Sequence, residues 1–251
     1  MPILIGMFFY HAGCEDVSRD SLTIAASANM QYAMEDLIAR FTEESGISCE
    51  LIVGSSGKLT AQIVEGAPFD LFFSADMKYP QEIHKKGLSS RPPRIYAYGY
   101  LVFWSLDEAL ELTREGMLSE EVRHIAMANP ETAPYGRAAE DLLKGMGIYE
   151  SIKSKLVFGE SVAQTNQFIL SGTAELGLTA RSVVSAPEAE GKGQWKEADQ
   201  ALYEPIAQGL VHLKNTDPEK EKWSLAFDDF LRSQTAIDIL HKFGYGLENK
   251  E

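Results

Sequence analysis

From Leu22 onward, short apolar runs alternate with stretches whose apolar residues recur every three or four positions. Leu22–Ala26 (LTIAA) predicts a buried strand. Met30, Ala33, Met34, Leu37, Ile38 and Phe41 then share one face of a helix. Gly46 predicts its end, because glycine tolerates the positive φ of a helix C-terminus. Cys49–Val53 predicts the next strand, and Leu59, Ile63 and Val64 the next helix. Phe69–Ser74 predicts a third strand. Further on, Ile95–Trp104 contains a long strand candidate centred on Leu101, Val102 and Phe103. Strands are predicted at His124–Ala128, Lys155–Phe158 and Ala174–Thr179, with helices at Arg137–Met146 and Ala163–Leu170. Residues 186–200 are polar and glycine-containing and predict a surface loop. Gly209–Lys214 returns to strand character, and two helices follow, Pro218–Ser233 and Gln234–Phe243.

Such alternation predicts α/β architecture, with parallel sheets covered by helices. The 251 residues, 45% hydrophobic, suffice for one large domain or two lobes. No Pro/Gly/Ser-rich linker interrupts the middle, so two lobes would be joined by extended strands. No run of eighteen apolar residues predicts a membrane span.

The formal net charge of −14 argues against nucleic acid as a partner, since phosphate binding needs a basic stripe. It does not exclude a small anion, because local donors can bind one within an acidic molecule. Of the two cysteines, Cys14 and Cys49, neither has zinc-ligand spacing, and Cys49 predicts a buried free thiol. The five histidines are scattered without metal spacing. Residues 1–20 predict a leader: an apolar stretch at 3–10 precedes His11-Ala12-Gly13-Cys14, which resembles a lipoprotein cleavage site that would leave Cys14 lipidated. No basic residue precedes that stretch, as expected if the true start codon lies upstream.

Four places share one construction: apolar strand, turn of small or polar residues, helix start. They are Ala26-Ser27-Ala28-Asn29, Gly54-Ser55-Ser56-Gly57, Asn129-Pro130-Glu131-Thr132-Ala133-Pro134-Tyr135-Gly136 and Gly159-Glu160-Ser161-Val162. In parallel α/β sheets such turns lie at the carboxyl ends of the strands, where ligands bind. Each helix start offers unpaired N–H groups and a positive dipole end, which suit an oxyanion. Singly, each turn has a simpler explanation: Ser27 or Ser56 as an N-cap, Pro134 as helix initiation. Gly54-Ser55-Ser56-Gly57-Lys58 lacks the upstream glycine of a nucleotide phosphate loop. No Gly-x-Ser-x-Gly turn supplies a hydrolase nucleophile. A neutral, donor-rich pocket suits a fully ionised dianion.

At these turns the sequence resembles the periplasmic molybdate-binding proteins of ABC importers, over about Leu22 to Leu247. The matching stretches include Ala25-Ala26-Ser27, Gly54 to Leu59, the two turns at 129–136 and 159–162, and Gln62 to Asp76. Within the last, Gly-Ala-Pro-x-Asp-x-Phe-x-Ser-Ala-Asp is the most specific signal. The resemblance implies a two-lobed periplasmic-binding-protein fold (type II), each lobe a mixed, mostly parallel sheet flanked by helices, with two crossover strands. Lobe 1 would be 21–98 plus 206–251, and lobe 2 would be 99–205. It implies an exported, non-enzymatic monomer, in the periplasm or on the outer face of the cytoplasmic membrane. That monomer would close on molybdate or tungstate and deliver it to a membrane permease. No cofactor and no direct protein–metal ligand is implied, since the oxyanion is held through its oxygens. Carried over by motif, Ser27 and Ser56 would donate from lobe 1, and the amides of Tyr135 and Val162 from lobe 2. One departure stands out: Ala180 occupies about the place where some relatives put a tyrosine hydroxyl on the ligand, leaving Thr179 or Ser182 as replacement donors. Two alternatives remain: a receptor of this fold for sulfate, thiosulfate, phosphate or an organic anion, with Glu160 as acceptor for a phosphate proton, and an enzyme or ligand-sensing regulatory domain.

Overall fold

The computed structural model describes residues 21–215 and 217–247; the expected leader and Cys14 lie outside them. In chain order the elements are β1 (Ser21–Ser27), α1 (Gln31–Ser45), β2 (Ser48–Gly54), α2 (Ser56–Val64), β3 (Leu71–Ser74), α3 (Lys78–Lys85) and β4 (Arg94–Gly99). Next come β5 (Leu101–Ser105), α4 (Arg114–Leu118), β6 (Ile125–Ala128), α5 (Pro134–Gly145), α6 (Tyr149–Ile152), β7 (Leu156–Gly159), α7 (Val162–Leu170), β8 (Leu176–Ala180) and α8 (Arg181–Val184). The chain ends with β9 (Gln194–Glu197), β10 (Ile206–His212), α9 (Pro218–Phe230) and α10 (Gln234–Lys242). Gly46 ends α1 with φ of 74°.

Two five-stranded sheets result, ordered β2-β1-β3-β10-β4 and β7-β6-β8-β5-β9. In the first, only β10 runs against the others; in the second, only β5 does. These are the strands on which the chain arrives when it changes sheet. The carboxyl ends of β1, β2, β3, β6, β7 and β8 therefore all lie on the side where the sheets meet.

The inner strands β1 and β3 of the first sheet are buried on both faces, since side chains alternate between the faces and their near-continuous apolar runs leave both covered. Leu22, Ile24, Ala26, Leu71 and Phe73 face a cluster with Met34, Leu37, Phe41, Phe227 and Leu240. Ala25, Phe72 and Val211 face Leu59, Ile63 and Ile83 on the other side. The second sheet's core runs from Leu101 to Ile206 and takes in Ala28 and Ala75 from the first-sheet side.

Two expectations change. The strand candidate within Ile95–Trp104 is two strands in different sheets, separated at Tyr100. β4 ends at Gly99, where a Cβ would lie 2.1 Å from Tyr135 Oη and 2.5 Å from Gln208 Nε2. Within the expected loop 186–200, Gln194–Glu197 forms β9, an edge strand paired with β5. Its pairing comes from the backbone and its side chains are mostly exposed, so hydropathy gives no sign of it.

Two titratable groups carry consequences. Burial pushes the half-buried Cys49 thiol up to about 12, so it stays protonated at neutral pH. Burial works to raise Asp228 as well, but the hydrogen bonds from His212 and Arg94, and the Arg94 charge, outweigh it. They hold this carboxyl well below the usual carboxylate range. A depressed carboxyl stabilises the fold above the unfolded-state value of about 4, and that contribution is lost as pH falls through the folded value. Urea unfolding of Asp228→Asn across a pH series should show lower stability at pH 7 and a shallower decline below about pH 4.

Candidate oxyanion site between the lobes

The turn after β1 brings Ser27 to the end of its strand, and the turn after β2 starts α2. The N-cap expectation fails for both serines. Ser27 makes no capping bond, and α2 is capped one residue earlier by Ser55, which accepts from Lys58 N–H at 3.4 Å. Ser56 is thereby the first helical residue. Its hydroxyl and that of Ser27 lie 2.5 Å apart, both buried.

The Ala75 N–H, just past β3, donates to both oxygens, at 2.9 Å to Ser27 and 3.0 Å to Ser56. One amide thus occupies an acceptor position on each hydroxyl. The pair holds two protons and one mutual contact, so one proton is left to aim elsewhere. Its protein acceptor is the Phe73 carbonyl, 3.1 Å from Ser27 Oγ, beyond the usual range for an O–H···O bond. Sequence reasoning missed Ala75, although it lies within the Ser-Ala-Asp end of the most specific motif.

The second-sheet turns meet this cluster. Gly57 N–H donates to the Thr132 carbonyl at 3.0 Å, and Lys58 pairs with Glu160. Asn129 N–H donates to the Gly159 carbonyl at 2.7 Å, tying the two second-sheet turns together. α7 packs against the Ala28–Met30 turn that follows Ser27. Ala28, Ala75, Tyr135 and Val162 belong to one buried cluster. Tyr135 and Val162 lie in the first turns of α5 and α7, where N–H groups have no intrahelical partner. Gly136 lets α5 start close against the end of β6, since a Cβ there would lie 2.3 Å from the Ala128 carbonyl oxygen.

The Tyr135 side chain points elsewhere, its hydroxyl 3.5 Å from Gln208 Nε2. Burial pushes its phenol well above the usual range, so it is neutral. Gln208 Oε1 accepts from Asn29 at 3.0 Å, and the Asn29 carbonyl accepts from Ser182 at 2.7 Å and Tyr245 at 2.8 Å. This buried network joins the Ser27 turn to β10, α5 and α8.

It also bears on the replacement donors. Ser182 gives its one proton to Asn29, and Thr179 gives its own to Asn166 Oδ1 at 2.6 Å. Neither hydroxyl keeps a proton for an anion, and the Ala180 side chain has none to give. Glu160 points outward, its side chain 67% exposed against Lys58.

The comparisons with known proteins agree with this architecture. A family model described as "Bacterial extracellular solute-binding protein" matches residues 22–246. The chain belongs to this family. As a solute-binding protein of that kind it works outside the cytoplasm, and among the described residues no helix is long and apolar enough to cross a membrane. Relatives named molybdate-binding protein ModA are 36% identical in both Rhodobacter capsulatus and Azotobacter vinelandii. The first match covers 89% of this chain and 87% of the relative, the second 90% and 89%. The solved periplasmic molybdate-binding protein of Azotobacter vinelandii superposes with a TM-score of 0.85 at 31% identity, covering 91% of this chain and all of that one.

The close approach at Gly57 gives a test of lobe closure. A Cβ there would lie 2.9 Å from both the Thr132 carbonyl oxygen and Tyr79 Oη. The Thr132 backbone lies across the cleft, so that overlap falls on the closed form, whereas the Tyr79 hydroxyl, on the same side as Gly57, is the free end of a side chain that can shift. Gly57→Ala should cost that form about 1–3 kcal/mol and weaken ligand binding roughly 5- to 150-fold. Calorimetric titration measures the loss; thermal unfolding without ligand should change little.

Proposed function

We propose that this solute-binding protein captures molybdate or tungstate and hands it to the membrane permease of an ABC importer. One observation carries the reading: two serine hydroxyls from different turns converge on one backbone amide, opposite two helix starts of the other sheet. The names of the relatives and of the solved neighbour support the same ligand.

On this reading, the mutual contact of Ser27 and Ser56 gives way to the anion, so that both hydroxyls donate to it, and the amides of Tyr135 and Val162 donate from the opposite side. The tetrahedral anion is held through its oxygens, with no cofactor and no protein ligand to the metal. The lobes comprise 21–98 plus 206–251, and 99–205. They close because the anion bonds to both at once, whereas a ligand touching one lobe equally in both states shifts nothing. The protein acts as a monomeric receptor and catalyses no reaction. The outward Glu160 supports a fully ionised ligand, since no carboxylate there is placed to accept a phosphate proton.

Selectivity rests on size, because molybdenum–oxygen and tungsten–oxygen bonds are longer than sulfur–oxygen bonds. Calorimetric titration with molybdate, tungstate, sulfate and phosphate tests the proposal. One anion per chain and clear preference for molybdate and tungstate are expected; equal affinity for sulfate would contradict it.

A further inference from the structure

Within the buried network behind the cleft, some contacts hold and one presses. Gln208 sits on β10, the strand on which the chain returns to the first sheet, and is fully buried. Its Oε1 accepts from Asn29 Nδ2 at 3.0 Å, and Asn29 Nδ2 also donates to Tyr245 Oη at 2.9 Å. Tyr96 Oη lies 3.4 Å from the same Oε1. β4 bulges at this point: Ala97 pairs with Gln208 and Ile95 with Gly209, which leaves Tyr96 as the extra residue. Groups of the first-sheet side thus hold the Gln208 amide from several directions.

The second-sheet side meets it in two ways. The Ser182 hydroxyl donates to the Asn29 carbonyl at 2.7 Å, a normal bond that draws the sides together. Tyr135 Oη lies 3.5 Å from Gln208 Nε2, beyond the usual range for an N–H···O bond. The phenol and the Gln208 amide both close over Gly99. A Cβ there would lie 2.1 Å from Tyr135 Oη, 2.5 Å from Gln208 Nε2 and 3.1 Å from Tyr135 Cζ. Tyr135 is 1% exposed and Gln208 0%, so neither side chain has open space to move into. This contact resists closer approach more than it attracts.

Both ends of the stack lead to anion donors. Asn29 lies two residues after Ser27, in the turn that follows it. Tyr135 carries on its own backbone an amide assigned to the anion. The Asn29, Gln208 and Tyr135 side chains, in series, therefore set the spacing between the Ser27 turn and the start of α5.

We propose that the side chains of Tyr135 and Gln208 are specificity-determining positioning groups: they form a stop beside the crossover strands that limits how far the lobes close, and so fits the site to the larger oxyanions. The inference rests on the receptor reading above. A cleft free to close further would bring the same donors onto sulfate, with its shorter bonds. A cleft stopped at this width leaves those hydrogen bonds to sulfate too long.

Calorimetric titration with molybdate, and with sulfate in competition against it, tests the stop. Y135F keeps the backbone amide and removes only the phenol oxygen. Its ratio of sulfate to molybdate affinity should rise about tenfold. Q208A, which shortens the other half of the stop, should move the ratio the same way. G99A adds bulk to the stop and should weaken molybdate binding about tenfold. Combining Gly99→Ala with Tyr135→Phe should restore part of that loss, because the nearest overlap is with the oxygen removed. A merely structural role would lower both affinities in proportion and leave the ratio fixed. An unchanged ratio in Y135F and Q208A, or full molybdate affinity in G99A, would overturn the proposal.

Hydrogen exchange without anion separates this from failure of the receptor reading. The Gly57 N–H, bonded across the cleft to the Thr132 carbonyl, should exchange faster in G99A and recover in the double variant. Should the parent protein bind no oxyanion, the receptor reading falls. The stop is then decided by that exchange alone, and an unchanged rate in G99A ends it.

Discussion

Replacing Ser27 and Ser56 together by alanine is expected to abolish measurable oxyanion binding and to lower stability, whereas each single replacement lowers affinity alone. A hydrogen bond to a charged group contributes about 1.5–3 kcal/mol net, so each single variant should bind roughly 10- to 150-fold more weakly. The difference in stability comes from Ala75. Its buried N–H donates to both hydroxyls, so either serine alone still satisfies it. Losing both leaves a buried amide without a partner, at a cost of about 1–3 kcal/mol. Calorimetry with molybdate reads the affinities and urea unfolding reads the stability. Full affinity in either single variant would remove that serine from the site. Stability loss in a single variant equal to that of the double would refute the shared role of Ala75.

Asp70 should show the reverse pattern, a large loss of stability with unchanged ligand affinity. Its side chain is 1% exposed and accepts from Thr23 N–H at 2.7 Å and from Asn215, with Lys220 Nζ at 3.3 Å. Its backbone bonds Thr23 on one side and Leu213 on the other. The residue thus clamps β1, β10 and α9 at the end of β3 remote from the cleft. Asp70→Ala leaves the largely buried Lys220 ammonium without a counter-charge, which costs about 3–5 kcal/mol. Urea unfolding should show a lower midpoint with an unchanged m-value. Adding Lys220→Met should recover much of the loss, because the penalty lies in the unpaired charge. Anion affinity should stay within about twofold of the parent. A parallel fall in affinity would mean that the two ends of β3 are coupled.

These two predictions divide a motif that is continuous in sequence. Gly66 to Asp76 contains Asp70, which binds Thr23, Asn215 and Lys220 at one end of β3, and Ala75 and Asp76, which bond Ser27, Ser56 and Arg137 at the other. The four residues of β3 separate the two roles. Spacing along the chain does not distinguish a carboxylate that braces a sheet from one that meets Arg137 across a gap.

Much else was legible. Strand–helix alternation, the end of α1 at Gly46 and the placing of Ser27, Ser56, Tyr135 and Val162 at strand-to-helix turns all follow from local patterns. Patterns of apolar residues and turn chemistry act over a few residues, so a single sequence displays them. The break at Tyr100 and the edge strand β9 escaped that reading. The first depends on Tyr135 and Gln208 crowding Gly99 from distant parts of the chain, the second on backbone pairing with exposed side chains.

By itself, then, the amino-acid order determined the strand–helix alternation, the helix starts that face a common edge and the placing of Ser27 and Ser56 at strand-to-helix turns. The tertiary structure alone decided that Ser55 caps α2 while Ser56 turns to meet Ser27, that Ala75 joins them, and that Thr179 and Ser182 spend their protons elsewhere. It alone paired Asp76 with Arg137. The reason is directional: a hydroxyl or amide has very few bonds to make, and which partner takes each is set by strands and turns that are neighbours only in space.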